Sequence, residues 1–138
     1  MRTAIDANVI SAVWSVEPLI TEMIDLLDAV QAEGGLVICG PVYAELLAHP
    51  RATREFVDRF LADNDIAVEF ALHEDIWIAA GEAYAAYARR RRKSDGGEPR
   101  RLLVDFVIGA HALIRADRLA TPDRSHYANA FPQLTLLG

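Results

Sequence analysis

The sequence has a single cysteine, Cys39, which excludes an intramolecular disulfide and argues against a small secreted scaffold. No apolar run approaches the roughly 18 to 20 residues that a membrane-spanning helix needs. The first six residues hold one basic residue, a short apolar patch and an early acid, unlike a secretory signal peptide. These absences predict a cytoplasmic protein with no membrane partner.

Several common kinds of active site also lack their signatures. The histidines follow no spacing that resembles a zinc site; they are His49, His73, His111 and His126. The glycine pairs Gly34-Gly35 and Gly96-Gly97 are typical of turns, not of a phosphate-binding loop. Ser11 and Ser15 have no histidine and acid at a spacing that predicts nucleophilic catalysis.

The charge is unevenly distributed. The formal net charge is −6, yet residues 89–101 hold seven of the fourteen basic residues and two acids, so that stretch is +5 and the remainder is −11. Local potential governs the encounter with a polyanion more than net charge does. Three interpretations stay open: a solvated helix end and loop, a phosphate-facing surface, or a docking surface for an acidic partner segment. The candidate RNA or partner contacts are Arg89, Arg92, Lys93, Arg100 and Arg101.

Strands and helices alternate with short connections over 138 residues, which predicts one domain spanning residues 1–138. Apolar runs predict strands at 3–7, 36–39, 66–70, 119–121 and 134–137. Helical periodicity predicts a helix that starts near Pro18 and stops at Gly34, a second that starts at Gly40-Pro41 and ends at His49-Pro50, and a third that Thr53 caps and the turn at 63–65 ends. Others are predicted at 74–92, at 101–116 and from Pro122. The inward residues expected on two of these helices include Phe56 and Trp77. The alternation predicts an α/β fold, a three-layer sandwich with a largely parallel sheet flanked by helices.

Three acids fall at matching places in this arrangement. Asp6 lies at the end of the first strand, Glu45 in the helix after the second, and Asp123 just after the fourth. Ligands of open parallel sheets bind in the crevice beyond the carboxyl ends of the strands. Topology alone therefore predicts that these three carboxylates share one edge.

A fourth acid, Asp105, stands inside an apolar segment. A charge in the middle of such a helix is costly to bury unless it is paired or bound to a metal. Small residues on the same face, Gly109 and Ala112, are expected to leave room beside it. The alternative is a salt bridge with Arg101, four residues earlier.

Carboxylates that crowd together raise one another's pKa unless a counter-charge is present. All-oxygen ligation suits Mg²⁺ or Mn²⁺ and not zinc. The sequence thus predicts a divalent metal site formed by Asp6, Glu45, Asp105 and Asp123.

Four segments carry a family resemblance, and each is quoted as it stands: Ile5-Asp6-Ala7-Asn8-Val9-Ile10, Val42-Tyr43-Ala44-Glu45-Leu46, Asp105-Phe106-Val107-Ile108-Gly109-Ala110-His111-Ala112, and Thr121-Pro122-Asp123 with Tyr127, Phe131 and Leu134-Thr135-Leu136. In order, spacing and total length the chain resembles PIN-domain nucleases of the VapC toxin type. One departure is Pro122, where these toxins often carry Arg or another polar residue.

The resemblance implies a PIN-like fold with a five-stranded parallel sheet and a metal-dependent endoribonuclease that uses Mg²⁺ (or Mn²⁺). It implies that the four acids are catalytic and hold the metal, and that Asn8 and Thr121 position them. It further implies an RNA substrate, a cognate antitoxin protein and a homodimer.

Two other functions remain as alternatives. A metal-dependent phosphatase of the haloacid-dehalogenase type also places an Asp after its first strand, but it needs a second Asp where this chain has Asn8, and a distant lysine, for which only Lys93 is present. A catalytically silent α/β module that only binds a partner would use exposed aromatic residues. Against that module stands Asp105, which a purely structural helix has little reason to carry.

Overall fold

The computed structural model describes residues 1–15, 20–94, 96–97 and 100–138. Along these residues the strands are β1 (Arg2–Ile5), β2 (Gly35–Cys39), β3 (Ile66–Glu69), β4 (Arg118–Ala120) and β5 (Thr135–Leu137). The helices are α1 (Ala7–Trp14), α2 (Ile20–Glu33), α3 (Gly40–Leu47), α4 (Arg54–Asp63), α5 (Glu74–Lys93), α6 (Leu103–Arg115) and α7 (Arg124–Ala130).

The strands form one sheet in the order β3-β2-β1-β4-β5, and every neighbouring pair is parallel. The chain runs outward from β1 to β2 and β3, then returns to place β4 on the other side of β1. The strand order therefore reverses at β1, and such a switch point is where open parallel sheets form their ligand crevice. The predicted α/β fold with a five-stranded parallel sheet is confirmed.

Helix α6 is largely buried in the core. Residues 106–112 are all buried, because this segment is apolar around its whole circumference. It packs against α5 and also contacts α3, β4 and α7. Its first turn consequently emerges close to the carboxyl ends of the central strands.

The start of the chain differs from the prediction. The first strand was expected at 3–7, whereas β1 ends at Ile5 and a helix that was not predicted, α1, begins at Ala7. Five of its eight residues are buried. The helix was not predicted because short buried apolar runs look alike in strands and helices. Pro18, the expected start of the next helix, lies outside the described residues.

Two predicted inward residues are wrong. Thr53 does cap α4, and its hydroxyl accepts the backbone N–H of Phe56 at 3.1 Å. The Phe56 ring packs edge-on against Trp14 at a centroid distance of 5.0 Å but remains 39% exposed. Trp77 on α5 is 48% exposed, since it follows buried Ile76 by one residue and so turns about 100° away from the core.

No helix in the described part of the chain combines the length and the apolarity that crossing a bilayer requires.

Two helical glycines form a matched pair for a stability test. A Cβ at Gly109 would lie 2.3 Å from Cε2 of the buried Phe131 ring, whereas a Cβ at Gly81 on α5 meets nothing within 4 Å. We expect Gly109→Ala to destabilise the protein by about 1–3 kcal/mol through overpacking. Gly81→Ala should stabilise it by about 0.5–1 kcal/mol through helix propensity. Urea unfolding of both variants measures this, and equal effects would contradict the described packing of α6 against Phe131.

Candidate active site

Asp6 is the residue that follows β1, so its carboxylate lies at the end of the central strand. Its backbone N–H donates to the carbonyl of Ala120 at 3.0 Å and extends the pairing of β1 with β4. The residue is only 4% exposed. Its Oδ2 accepts from the hydroxyl of Thr121 at 2.8 Å and from that of Tyr127 at 3.4 Å. Two donors that converge on one oxygen fix this carboxylate at the switch point of the sheet.

Asp6 interacts electrostatically with carboxylates on two neighbouring helices. Burial raises the pKa of Asp6, and although the hydrogen bond from Thr121 lowers it, the charge of Asp105 raises it further. The pKa of Glu45 on α3 is likewise raised, first by desolvation and then by the charges of Asp6 and Asp105. Asp6, Glu45 and Asp105, which we call the carboxylate cluster, therefore interact as one group of negative charge.

The surroundings of Asp105 differ from those predicted. α6 begins at Leu103 and not at residue 101, so Asp105 lies in the first turn, where the helix dipole stabilises a carboxylate. Its side chain is 27% exposed. The space beside Gly109 is not open to a ligand, because the ring of Phe131 fills it. Asp105 thus costs less to bury than its apolar sequence neighbours suggested.

Asp123 is set apart from the carboxylate cluster by an arginine. Arg101 donates to both oxygens of Asp123, from Nη1 to Oδ2 at 2.5 Å and from Nη2 to Oδ1 at 3.3 Å. The pair with Asp105, considered from the sequence, is longer, with Nη1 4.0 Å from Oδ2. All three side chains are more than a quarter exposed, so solvent screening limits each pair to about 1 kcal/mol or less. Arg101 therefore compensates mainly the charge of Asp123 and leaves the carboxylate cluster largely uncompensated.

Hydroxyl and amide donors position the acids. The Thr121 hydroxyl donates to Asp6 and accepts the backbone N–H of Asp123 at 3.0 Å, so one side chain links two acids. Asn8 hydrogen-bonds Asp6 through its backbone N–H, which lowers the pKa of Asp6, while its side chain is exposed. Tyr127 was not predicted as a site residue. Its place four residues after Asp123, one helical turn on, is the signal that could have identified it.

Of the predicted basic contacts, Arg101 is the one that the structure places beside the acids. Four of them are exposed and one is half-buried: Arg89, Arg92, Lys93 and Arg100 are the exposed ones, and Arg101 is the other. The hydroxyl of Tyr87 accepts the backbone N–H groups of Arg100 at 3.1 Å and Arg101 at 3.2 Å. This ties the segment before α6 to α5 and holds Arg101 within reach of Asp123.

A serine–histidine contact that spacing did not reveal lies at the end of α1. Oγ of Ser15 and Nε2 of His49 are 2.8 Å apart. Nδ1 of His49 accepts the backbone N–H of Arg51 at 3.1 Å, so the neutral ring carries its proton on Nε2 and donates to Ser15. Ser15 in turn donates to the carbonyl of Ser11 at 2.8 Å. A ring that donates cannot take the serine proton, so this pair does not form a nucleophile and its base.

The donor set around the cluster is oxygen. Cys39 ends β2 next to it, but burial and, to a smaller extent, the charges of Glu45 and Asp6 raise its pKa to about 11, which leaves a protonated thiol. Among the described residues, no three His, Cys, Asp or Glu side chains stand close enough to form a metal-binding group. The chemistry of the donors fits Mg²⁺ or Mn²⁺, and the side chains of the cluster would have to close around the ion.

The raised pKa values predict how the metal-free protein responds to pH. Asp6 and Glu45 keep their protons to higher pH in the folded protein than in the unfolded chain, where ordinary values are 3.8 and 4.5. Their contribution to stability is complete below those values and is lost as pH rises through the raised ones. We expect Asp6→Asn, in chelator, to be more stable than the unchanged protein at pH 7, by more than the about 0.5 kcal/mol typical of surface changes.

The gain should vanish below about pH 4, near the unfolded pKa of Asp. Urea unfolding at both pH values measures it, with Asp28→Asn on the exposed side of α2 as the control. If Asp6→Asn changed the free energy of unfolding equally at both pH values, the electrostatic origin of the effect would be contradicted.

The chain matches a known family in sequence and solved proteins in structure. The PIN domain family profile matches residues 3–132. VapBC-1 from nontypeable Haemophilus influenzae is 22% identical with a TM-score of 0.67, covering 99% of this chain and 97% of that chain. VapBC2 from Rickettsia felis, bound to a DNA fragment from their promoter, is 18% identical with a TM-score of 0.65, covering 99% and 98%. FitAcB from Neisseria gonorrhoeae is 19% identical with a TM-score of 0.64, covering 99% and 96%.

At these identities the solved structures establish the shared fold alone. No curated protein matches the chain in sequence. The family match is independent of them and spans all four acids and both strands that flank the switch point. The chain belongs to the PIN domain family of nucleases.

Proposed function

We propose that the protein is a metal-dependent endoribonuclease that hydrolyses RNA phosphodiester bonds, with one nuclease domain over residues 1–138. The observation that supports this most directly is the carboxylate cluster: Asp6, Glu45 and Asp105 come from three separate elements near the switch point of a parallel sheet, where burial and neighbouring negative charge raise the pKa of Asp6 and of Glu45. Mutual repulsion of this kind costs stability, and a cation that bridges the carboxylates removes the cost. Membership of a nuclease family supports the same reaction class.

The cluster would hold Mg²⁺ or Mn²⁺. A bound ion supplies a water of lowered pKa and neutralises charge on the phosphoryl oxygens. Asp6 would be the fixed ligand, since Thr121 and Tyr127 hold its carboxylate in place. Glu45 and Asp105 are the more exposed members, so their side chains have room to move toward the ion.

Asp123 has a separate part in this proposal. Arg101 donates hydrogen bonds to both carboxylate oxygens of Asp123. Asp123 would therefore contact the ion only if its pair with Arg101 opened. With the pair closed, Asp123 holds the guanidinium of Arg101 at the edge of the cluster. That positive charge lies where an RNA phosphate would approach the acids, and a guanidinium matches phosphate geometry well.

The biological role proposed is that of a toxin in a toxin–antitoxin pair. The VapBC and FitAB structures that share this fold are complexes of such pairs, which supports a cognate antitoxin as the partner. The resemblance to VapC-type toxins adds RNA as the substrate, a homodimer as the assembly and the cytoplasm as the location.

The two rival functions are less well supported. For the phosphatase, the residue two positions after Asp6 is the exposed Asn8, and the lone lysine, Lys93, lies exposed at the end of α5. For the silent binding module, Trp77 offers an exposed aromatic surface. Such a module gives no account of three repelling carboxylates, and a cleavage assay separates it from the nuclease.

Metal binding predicts a thermal shift. A ligand that binds only the folded state stabilises it by RT ln(1 + [L]/Kd), about 1.4 kcal/mol at ten times Kd. We expect millimolar Mg²⁺ or Mn²⁺ to raise the melting temperature by a few degrees, about 2–8 °C for a domain of this size. The shift should be absent in Asp6→Asn and unchanged in Asp28→Asn. An unchanged melting temperature of the wild-type protein in both Mg²⁺ and Mn²⁺ would count against the metal site.

The proposed nuclease activity predicts how metal and site substitutions change the rate of RNA cleavage. With Mg²⁺, purified protein should cut single-stranded and structured RNAs, and chelator should stop it. Asp6→Asn and Glu45→Gln should lose at least about a hundredfold in rate, because each removes a charge that holds the ion. Asp123→Asn should lose less, because Arg101 already withholds that carboxylate. Gel analysis of end-labelled RNA measures the rates.

Asp28→Asn controls for the loss of one surface charge, and melting curves control for folding. Full activity in folded Asp6→Asn would remove Asp6 from the mechanism. Cleavage that is as fast in chelator as in Mg²⁺ would refute metal dependence.

A further inference from the structure

A cavity of about 530 Å³ opens next to the carboxylate cluster, between the last turns of α5, the start of α6, and α7. Its volume lies in the range of roughly 300–1,000 Å³ that small-ligand sites occupy. No residue of the carboxylate cluster lines it. The lining residues that matter here are Tyr87, Arg90, Arg101, Phe106, His126 and Asn129.

The cavity has a cationic side. Arg90 is exposed, and no carboxylate among the described residues forms an ion pair with it. Arg101 lines the same cavity while its guanidinium holds Asp123. Guanidinium groups that line the same cavity attract a group with negative charge, and a phosphate matches their donor geometry.

Aromatic rings also line the cavity. Phe106 and His126 both line the cavity, with their rings edge to face at a centroid distance of 5.0 Å. Tyr87 lies tilted against Phe106 at 5.4 Å. Phe106 is fully buried and His126 is 8% exposed, so the half-buried ring of Tyr87 is the one that offers a stacking surface. A base that stacks on an aromatic ring gains about 1–3 kcal/mol. The lining thus offers guanidinium groups for the phosphate of a nucleotide and an aromatic ring for its base.

Two polar groups in the cavity lack a partner for part of their hydrogen-bonding capacity. His126 is 8% exposed, and its Nε2 is buried without a hydrogen-bond partner among the described residues. The Tyr87 hydroxyl accepts two backbone N–H groups, so its own proton is available to an acceptor. A buried polar atom without a partner costs about 1–3 kcal/mol, which a ligand that supplies the partner recovers.

We propose that this cavity binds one nucleotide of the RNA, next to the bond that is cut, with its phosphate against Arg90 and Arg101 and its base against His126 and Asn129. The proposal rests on the proposed nuclease function and extends it to substrate positioning and base preference. Arg101 joins the two regions, since the same guanidinium lines the cavity and lies 4.0 Å from Asp105. A phosphate held there places the next phosphodiester of the strand toward the acids.

The first test compares two arginines on one helix. Arg90 lines the cavity and Arg89 does not, and both are exposed on the last turns of α5. A fluorescein-labelled single-stranded RNA is titrated in chelator, so that binding is measured without cleavage. We expect Arg90→Ala to weaken binding about tenfold, the loss typical of one charge-assisted phosphate contact. Arg89→Ala should show only the general electrostatic loss, about twofold or less.

The second test observes the base. Uridine and adenosine 5′-monophosphates are added to isotope-labelled full-length protein in chelator, with inorganic phosphate alone in a parallel titration. We expect the His126 ring signals and the Asn129 side-chain amide to shift with nucleotides and not with phosphate alone. Asn129→Ala, an exposed position, should change the relative affinity for the two bases while leaving the melting temperature unchanged.

Each outcome bears on one proposal or the other. Equal effects of Arg90→Ala and Arg89→Ala, or nucleotides that shift no signal beyond those that phosphate shifts, would overturn the nucleotide cavity while RNA cleavage stands. Unchanged RNA binding in Arg90→Ala with lost inhibition by the antitoxin would overturn it as well, in favour of a protein-binding surface. Nucleotide shifts in a protein that cuts no RNA would support the cavity and refute the nuclease function.

Discussion

A carboxylate buried at the end of the central strand sets the main constraint on this structure. Asp6 sits where strand order reverses, with almost none of its surface in contact with water. Burying a charge this deeply is costly unless hydrogen bonds or a counter-charge compensate. The hydroxyls of Thr121 and Tyr127 supply the hydrogen bonds, and both come from the chain that follows β4. The site therefore depends on the pairing of β4 with β1, a contact between residues more than a hundred positions apart.

The distribution of charge around Asp6 follows from the same constraint. Three acids repel one another, and the nearby arginine is engaged by the fourth acid, which leaves the carboxylate cluster under-compensated. An acidic chain thus places its one concentrated basic segment directly beside its acids. The C-terminal end of α5 favours positive charge because of the helix dipole, and the Tyr87 hydroxyl anchors the segment that carries Arg101. The basic segment and the acids are two sides of one site.

Most elements could be predicted because each carries a local signal. The cap at Thr53, the apolar runs of β2 and β4, and the mostly apolar α6 all have physical causes within a few residues of sequence. The failure at α1 has a physical cause too: an apolar stretch that is buried on most sides has no strong period, so a helix and a strand look the same. Trp77 was wrongly expected inward together with Ile76, although adjacent residues of a helix point about 100° apart and only Ile76 is buried.

The acids illustrate the division between local and tertiary information. Their positions after strands could be predicted, since parallel strands bring their carboxyl ends to one edge whatever the side chains are. The partners of those acids could not, because they depend on side-chain distances between distant segments. Helical spacing offered a pair of Arg101 with Asp105 as an alternative, and the two do lie 4.0 Å apart. The shorter pair is with Asp123, because Arg101 precedes α6 and is not held in its helical geometry.

By itself the sequence determined the parallel α/β fold, and it predicted three acids on one edge and an oxygen donor chemistry. Each of these follows from periodicity, residue type and the direction of the strands. Tertiary structure decided which three acids repel one another, which one is neutralised by Arg101, that Tyr127 binds Asp6, and that a cavity with arginines and aromatic rings lies beside them. The physical reason is that burial, hydrogen bonding and screening act over a few ångströms, and only the folded chain sets which distant residues come that close.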